Sequence, residues 1–194
     1  MADQIESEAV RALPTLSRSI LTGAIGFCLV SLCVFGTVAF AERWMYQTLG
    51  FTGAYLAWTA MFILLGGAVF GSLVMGWWRL PKFYLLFAIA FFAYAISWMC
   101  AYFILRGTAG ELLGSLAGSI LMALVFALAF GALRSFLKLS ALLFVTNSVG
   151  YFLGSALNNS FAGRTGMLLW GVVYGLFLGA GIGAVLHLAQ VKNE

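Results

Sequence analysis

Charged side chains are nearly missing from this sequence. Asp, Glu, Lys and Arg make up 8% of its 194 positions, against roughly 25% in an ordinary soluble domain. So few charges cannot cover a surface in water, and 63% of the residues are hydrophobic, so the expected solvent is lipid. Histidine occurs once, at His187, beside six acidic residues of which Asp3, Glu6, Glu8 and Glu194 lie in the tails. No nucleophile, base and orienting acid can be assembled from that set, so no catalytic residue is expected and the chain is not read as an enzyme. The Gly-Ser pairs of GSLAGS at 114–119 are read as helix-packing residues, not as a hydrolase turn. Cys28, Cys33 and Cys100 sit inside apolar segments without ligand spacing and read as small hydrophobes. His187 has no clustered partner and is too near a span end to serve a buried haem, so no metal and no cofactor are expected. The ten basic residues are scattered, which excludes the contiguous face that nucleic acid requires.

What the chain does have is long apolar runs. Six of them, at 20–41, 52–77, 83–105, 110–133, 139–157 and 167–189, meet or approach the ~20 residues a helix needs to cross the hydrocarbon. The expected fold is all-α, a polytopic six-helix transmembrane bundle over 20–189. A cytoplasmic tail of residues 190–194 follows it. Residues 1–19 precede it as a tail or a short interfacial helix, with Ile5, Ala9 and Leu13 on a weak apolar face interrupted at Pro14. The first run is too long for a signal-peptide core and has an acidic stretch before it, so it is expected to stay as a helix.

With six spans, Arg11, Arg18, Arg79, Lys82, Arg134, Lys138 and Lys192 fall on one side, and Arg43, Arg106 and Arg164 on the other. The excess predicts both termini in the cytoplasm of an integral membrane protein, read here as one of the bacterial inner membrane. Trp44, Trp77, Trp78 and Trp170 are placed near span ends as an aromatic belt. The pairs Arg79/Lys82 and Arg134/Lys138 occupy short inner turns and are expected to attract anionic lipid. No connection leaves room for a soluble domain, so any function belongs to the bundle or its surfaces.

Gly171, Gly175, Gly179 and Gly183 recur every four residues in the last run, a zipper-like groove that makes sense only where another backbone comes close. The two halves also resemble each other weakly. Phe70-Gly71-Ser72 lies over Leu153-Gly154-Ser155, and Gly23 and Gly26 have counterparts in Gly114 and Gly118, which suggests a 3+3 inverted repeat.

Two faces are candidates for a site. At 100° per residue Asn147, Tyr151, Ser155 and Asn158 share one side of the fifth run, and an amide at mid-bilayer must find partners in protein or in a solute. In the third run Phe87, Phe91, Tyr94, Trp98 and Tyr102 form a stripe that suits packing or lipid contact, or else a pocket for a flat apolar ligand. The expected ligand residues are Asn147, Tyr151, Ser155, Asn158 and Trp98. The functional expectation is a small transport protein or substrate-binding permease component for a neutral or lipophilic solute. The alternative is a non-catalytic subunit that packs into a larger membrane complex with partner subunits.

Overall fold

The computed structural model describes residues 13–75, 79–161 and 163–191. Most of the expected N-terminal tail or interfacial helix falls outside these residues, as do Trp77, Trp78, Lys192 and the side chain of Arg79. The fold is all-helical, in the order α1 (Leu16–Gly71), α2 (Arg79–Leu105), α3 (Gly107–Ala129), a 3-10 turn (Leu133–Ser135), α4 (Phe136–Phe161) and α5 (Gly163–Gln190). All five α-helices are long and apolar enough to cross a membrane. Their bounds agree with the apolar runs to within about a helical turn, except in α1.

There, a connection was expected over 42–51. Instead helix continues through Glu42 to Leu49, because that stretch contains no proline or glycine to stop it. The chain turns at Gly50, whose φ of 69° suits a residue without a side chain. The two arms of α1, residues 16–49 and 51–71, then run antiparallel. Gly26 meets Val69, the Phe27 and Phe70 rings lie 5.4 Å apart, and Trp58 Nε1 donates to Thr37 Oγ1 at 3.0 Å. The α2–α3 and α4–α5 reversals are equally tight and also use positive φ, at Arg106 and Gly107 and at Gly163. The connections that follow Gly71 and Ala129 occupy the opposite end. Arg18, Lys82, Arg134 and Lys138 therefore gather at one end of the bundle, and Arg43, Arg106 and Arg164 at the other.

Helix α5 holds the assembly together, packing most extensively on α1 and then on α4. On the α1 side, a Cβ added to Gly179 would fall on the Gly23 carbonyl, and one on Gly183 would fall on the Ser19 carbonyl. One on Gly175 would lie 2.8 Å from the Phe27 carbonyl oxygen, and one on Gly171 2.8 Å from Phe35 Cβ. Backbone thus touches backbone along several turns, the approach that substitutes for hydrophobic drive in lipid. The opposite side of α5 is not free either. Gly181 is buried against Thr146 of α4, because α5 has neighbours on both faces. Trp170, expected at a span end, lies well inside the helix, since α5 begins at Gly163.

The C-terminal turn of α5 also secures the chain around it. Gln190 accepts from Met75 N at 3.0 Å and donates to Leu73 O at 3.2 Å. His187 Nδ1 lies 2.9 Å from the Pro14 carbonyl oxygen.

Substituting the smallest possible side chain tests the contact. Gly179→Ala should lower stability in reversible detergent unfolding by about 1–3 kcal/mol, the usual cost of overpacking. Gly36, also helical, has nothing within 4 Å of where its Cβ would be. Gly36→Ala should therefore be neutral or mildly stabilising, and equal losses at both positions would show that backbone approach is not what holds α1 to α5.

Candidate functional site: an aromatic cavity beside a buried hydrogen-bond chain

Five helical segments leave a cavity of about 260 Å³ between them. It sits nearer the end of the bundle that carries the Gly50, Gly107 and Gly163 turns. Its wall is a nearly continuous series of ring contacts. On one side Phe35 meets Trp170 at 5.8 Å, Trp170 meets Tyr151 at 5.5 Å, and Tyr151 meets Trp98 at 5.6 Å. On the other, Phe35 meets Tyr174 at 6.2 Å, and Tyr94, Phe91 and Phe62 follow in successive contacts. Tyr55 and Trp58 of the second α1 arm complete the lining, with centroids 5.4 Å apart. Such tilted and edge-on contacts lock each ring against its neighbours. No charged side chain lines the space.

Behind this wall runs a chain of polar groups. Tyr94 Oη donates to Asn147 Oδ1 at 2.9 Å, Asn147 Nδ2 donates to Ser115 Oγ at 2.7 Å, and Ser115 and Ser148 hydroxyls are 2.8 Å apart. The Tyr94 and Tyr174 hydroxyls lie 3.2 Å apart. Since Tyr94 has one hydrogen and gives it to Asn147, Tyr174 is the donor in that pair. A second link ties Tyr151 Oη to Glu111 Oε1 at 3.1 Å. Trp170 Nε1 is buried without a partner, and its edge of the ring lies over Gly154. The hydroxyls of Tyr94, Tyr151 and Tyr174 are thus engaged with protein.

The expected ligand residues separate into three groups. Trp98 and Tyr151 line the cavity. Asn147 is 1% exposed and lies behind the wall, its carbonyl and amide both bonded to protein. Ser155 and Asn158 do not reach the space, and Asn158 packs on Gly166 at the α4–α5 turn. The aromatic stripe of α2 contributes more than the polar face does: Phe91, Tyr94 and Trp98 line the cavity, Phe87 is core, and Tyr102 stacks on Trp98 at 5.1 Å. Sequence reasoning missed Tyr55, Trp58 and Phe62, although their spacing of three and four residues was a legible helical stripe. It also set aside Ser115 as packing alone, whereas its hydroxyl bonds Asn147. No group of His, Cys, Asp or Glu among the described residues could hold a metal.

No protein-family model, curated protein sequence or solved structure matches this chain. The cavity is therefore interpreted from its own geometry.

The polar chain makes a prediction about stability. Asn147→Leu removes two buried hydrogen bonds, those to the Tyr94 and Ser115 hydroxyls, and should cost about 1–3 kcal/mol in detergent unfolding. Tyr94→Phe should fall in the same range. Because both act through one network, the double variant should lose less than the sum of the single losses. Full additivity would mean that the two residues stabilise the protein independently.

Proposed function

We propose that this protein is a six-span integral membrane protein that binds a small lipophilic solute in the aromatic cavity, as a transport protein or the substrate-binding component of a permease. The observation that carries the reading is the cavity itself, a space of about 260 Å³ walled by rings from five helical segments. The space is open rather than enclosed, so a ligand reaches it without the helices parting. A recess of this kind with an almost wholly aromatic wall is the form that small-molecule sites take, although it falls just below the usual range and so fits a compact ligand.

The span count rests on the antiparallel arms of α1. Residues 16–49 alone would run roughly 50 Å at 1.5 Å per residue, well beyond the ~30 Å hydrocarbon core, and residues 51–71 would run about 30 Å. Each arm is long enough to cross, which with α2–α5 makes six. The basic side chains exposed at one end, Lys82, Arg134 and Lys138, favour that end as cytoplasmic and as the side meeting anionic lipid. The cavity then lies in the outer half. The contacts are compatible with a 3+3 inverted repeat, since Gly23 packs on the last helix and its counterpart Gly114 on α2. The alternative, a subunit of a larger membrane complex, is favoured by one observation: the polar face around Asn147 is satisfied entirely within the protein and solvates nothing.

The cavity reading is tested with the uncharged lipophilic fluorophore N-phenyl-1-naphthylamine and the full chain in nanodiscs. Energy transfer from tryptophan should saturate above the level of empty nanodiscs. Ala95 lines the cavity, and Ala95→Phe should fill it and weaken saturable binding by about 10-fold or more, the effect of losing roughly 1.4 kcal/mol of contact. Saturation that Ala95→Phe leaves unchanged would place the probe elsewhere and favour the subunit reading.

A further inference from the structure

The cavity is unusual in what stands behind its rings. Glu42 and Glu111 are the only carboxylate side chains among the described residues, and neither forms an ion pair there. Glu111 accepts from Tyr151, whose ring lines the cavity. Glu42 is exposed, one turn before Tyr46 on the same arm. The Tyr46 ring is 5.7 Å edge-on from Trp58 of the wall. Arg164, which shares that end of the bundle with Glu42, lies over the Phe40 ring, 4.9 Å from its centroid.

We propose that the ligand of this cavity is a compact organic monocation of the quaternary ammonium class, held by the π faces of Trp58, Trp98, Tyr151 and Trp170 and balanced in charge by Glu111. The proposal rests on the cavity being a ligand site and adds the sign of the ligand's charge. Three observations carry it. Aromatic faces bear the negative part of the ring quadrupole, and a cage of them is the recognised way to hold an ammonium that has no N–H to donate. The phenols of Tyr94, Tyr151 and Tyr174 are hydrogen-bonded behind the wall, to Asn147, to Glu111 and to one another, so the cavity is recognised chiefly by ring surface. A phenol that donates to a carboxylate also has a more electron-rich ring, and this strengthens its attraction for a cation. No basic side chain lines the space to oppose one.

The test compares benzyltrimethylammonium with its uncharged carbon isostere, neopentylbenzene, on the full chain in nanodiscs. Binding is followed by tryptophan fluorescence against empty nanodiscs. The cation should bind at least about 10-fold more tightly than the isostere, a difference within the range of a desolvated cation–π site. Ala95→Phe should abolish the difference. Glu111→Gln keeps an acceptor for Tyr151 but removes the charge, so it should weaken the cation several-fold and leave the isostere unchanged. Equal or tighter binding of the isostere, lost in Ala95→Phe, would overturn the cation proposal and leave the cavity reading standing. Preference for the cation that survives Ala95→Phe would overturn it too, by placing the site elsewhere. Saturable binding of neither probe would remove the cation proposal, and failure of the naphthylamine as well would remove the cavity reading with it.

Discussion

The contact on which the structure depends is the approach of two backbones, α5 against the first arm of α1. In water a pair of helices gains by hiding apolar surface, but in lipid that gain is small and close van der Waals contact has to replace it. Four glycines on α5 and Gly23 on α1 remove the side chains that would hold the helices apart. Because α5 is thereby pressed against α1 on one face and α4 on the other, it becomes the most buried of the helices. The cavity wall follows from this placement. Phe35 of α1 and Trp170 and Tyr174 of α5 face one another just beyond the glycine contact, where the side chains become large.

Along the chain from Tyr174 through Tyr94 and Asn147 to Ser115 and Ser148, hydrogen-bonding groups satisfy one another and the rings are left to the cavity. A buried amide costs several kcal/mol without partners, and Asn147 has them on both its carbonyl and its amide. The same chain holds the Tyr94 ring in place, so the wall is positioned from behind by hydrogen bonds and from the sides by neighbouring rings. A cavity built in this way is preformed, which lowers the cost of binding because few side chains need to be ordered.

The two ends of the bundle differ. One carries reversals of one or two residues at Gly50, Arg106–Gly107 and Gly163. The other carries the longer connections and the latch made by Gln190 and His187. Tight reversals leave little freedom for the helix ends nearest the cavity, whereas the opposite end is held by side-chain bonds that can break and re-form.

Much of this was legible before the fold was known. The apolar runs determined an all-helical membrane chain and, outside α1, where each helix lies, because span length and hydropathy are local quantities. The four-residue glycine period marked a face of α5 that only a close neighbour could use. What local pattern could not determine was which neighbour each face meets. Asn147, Tyr151, Ser155 and Asn158 share one side of α4 by periodicity, yet helix packing sends Asn147 into a bonded chain, Tyr151 into the cavity and Asn158 to a turn. Gly181, packed on Thr146 of α4, shows what a single period cannot, that the helix is enclosed on both sides. The continuation of α1 past Glu42 was also hidden, since polar residues end a hydrophobic run without ending a helix. The cavity draws its rings from five segments far apart in the chain, and only their tertiary placement brought those rings together.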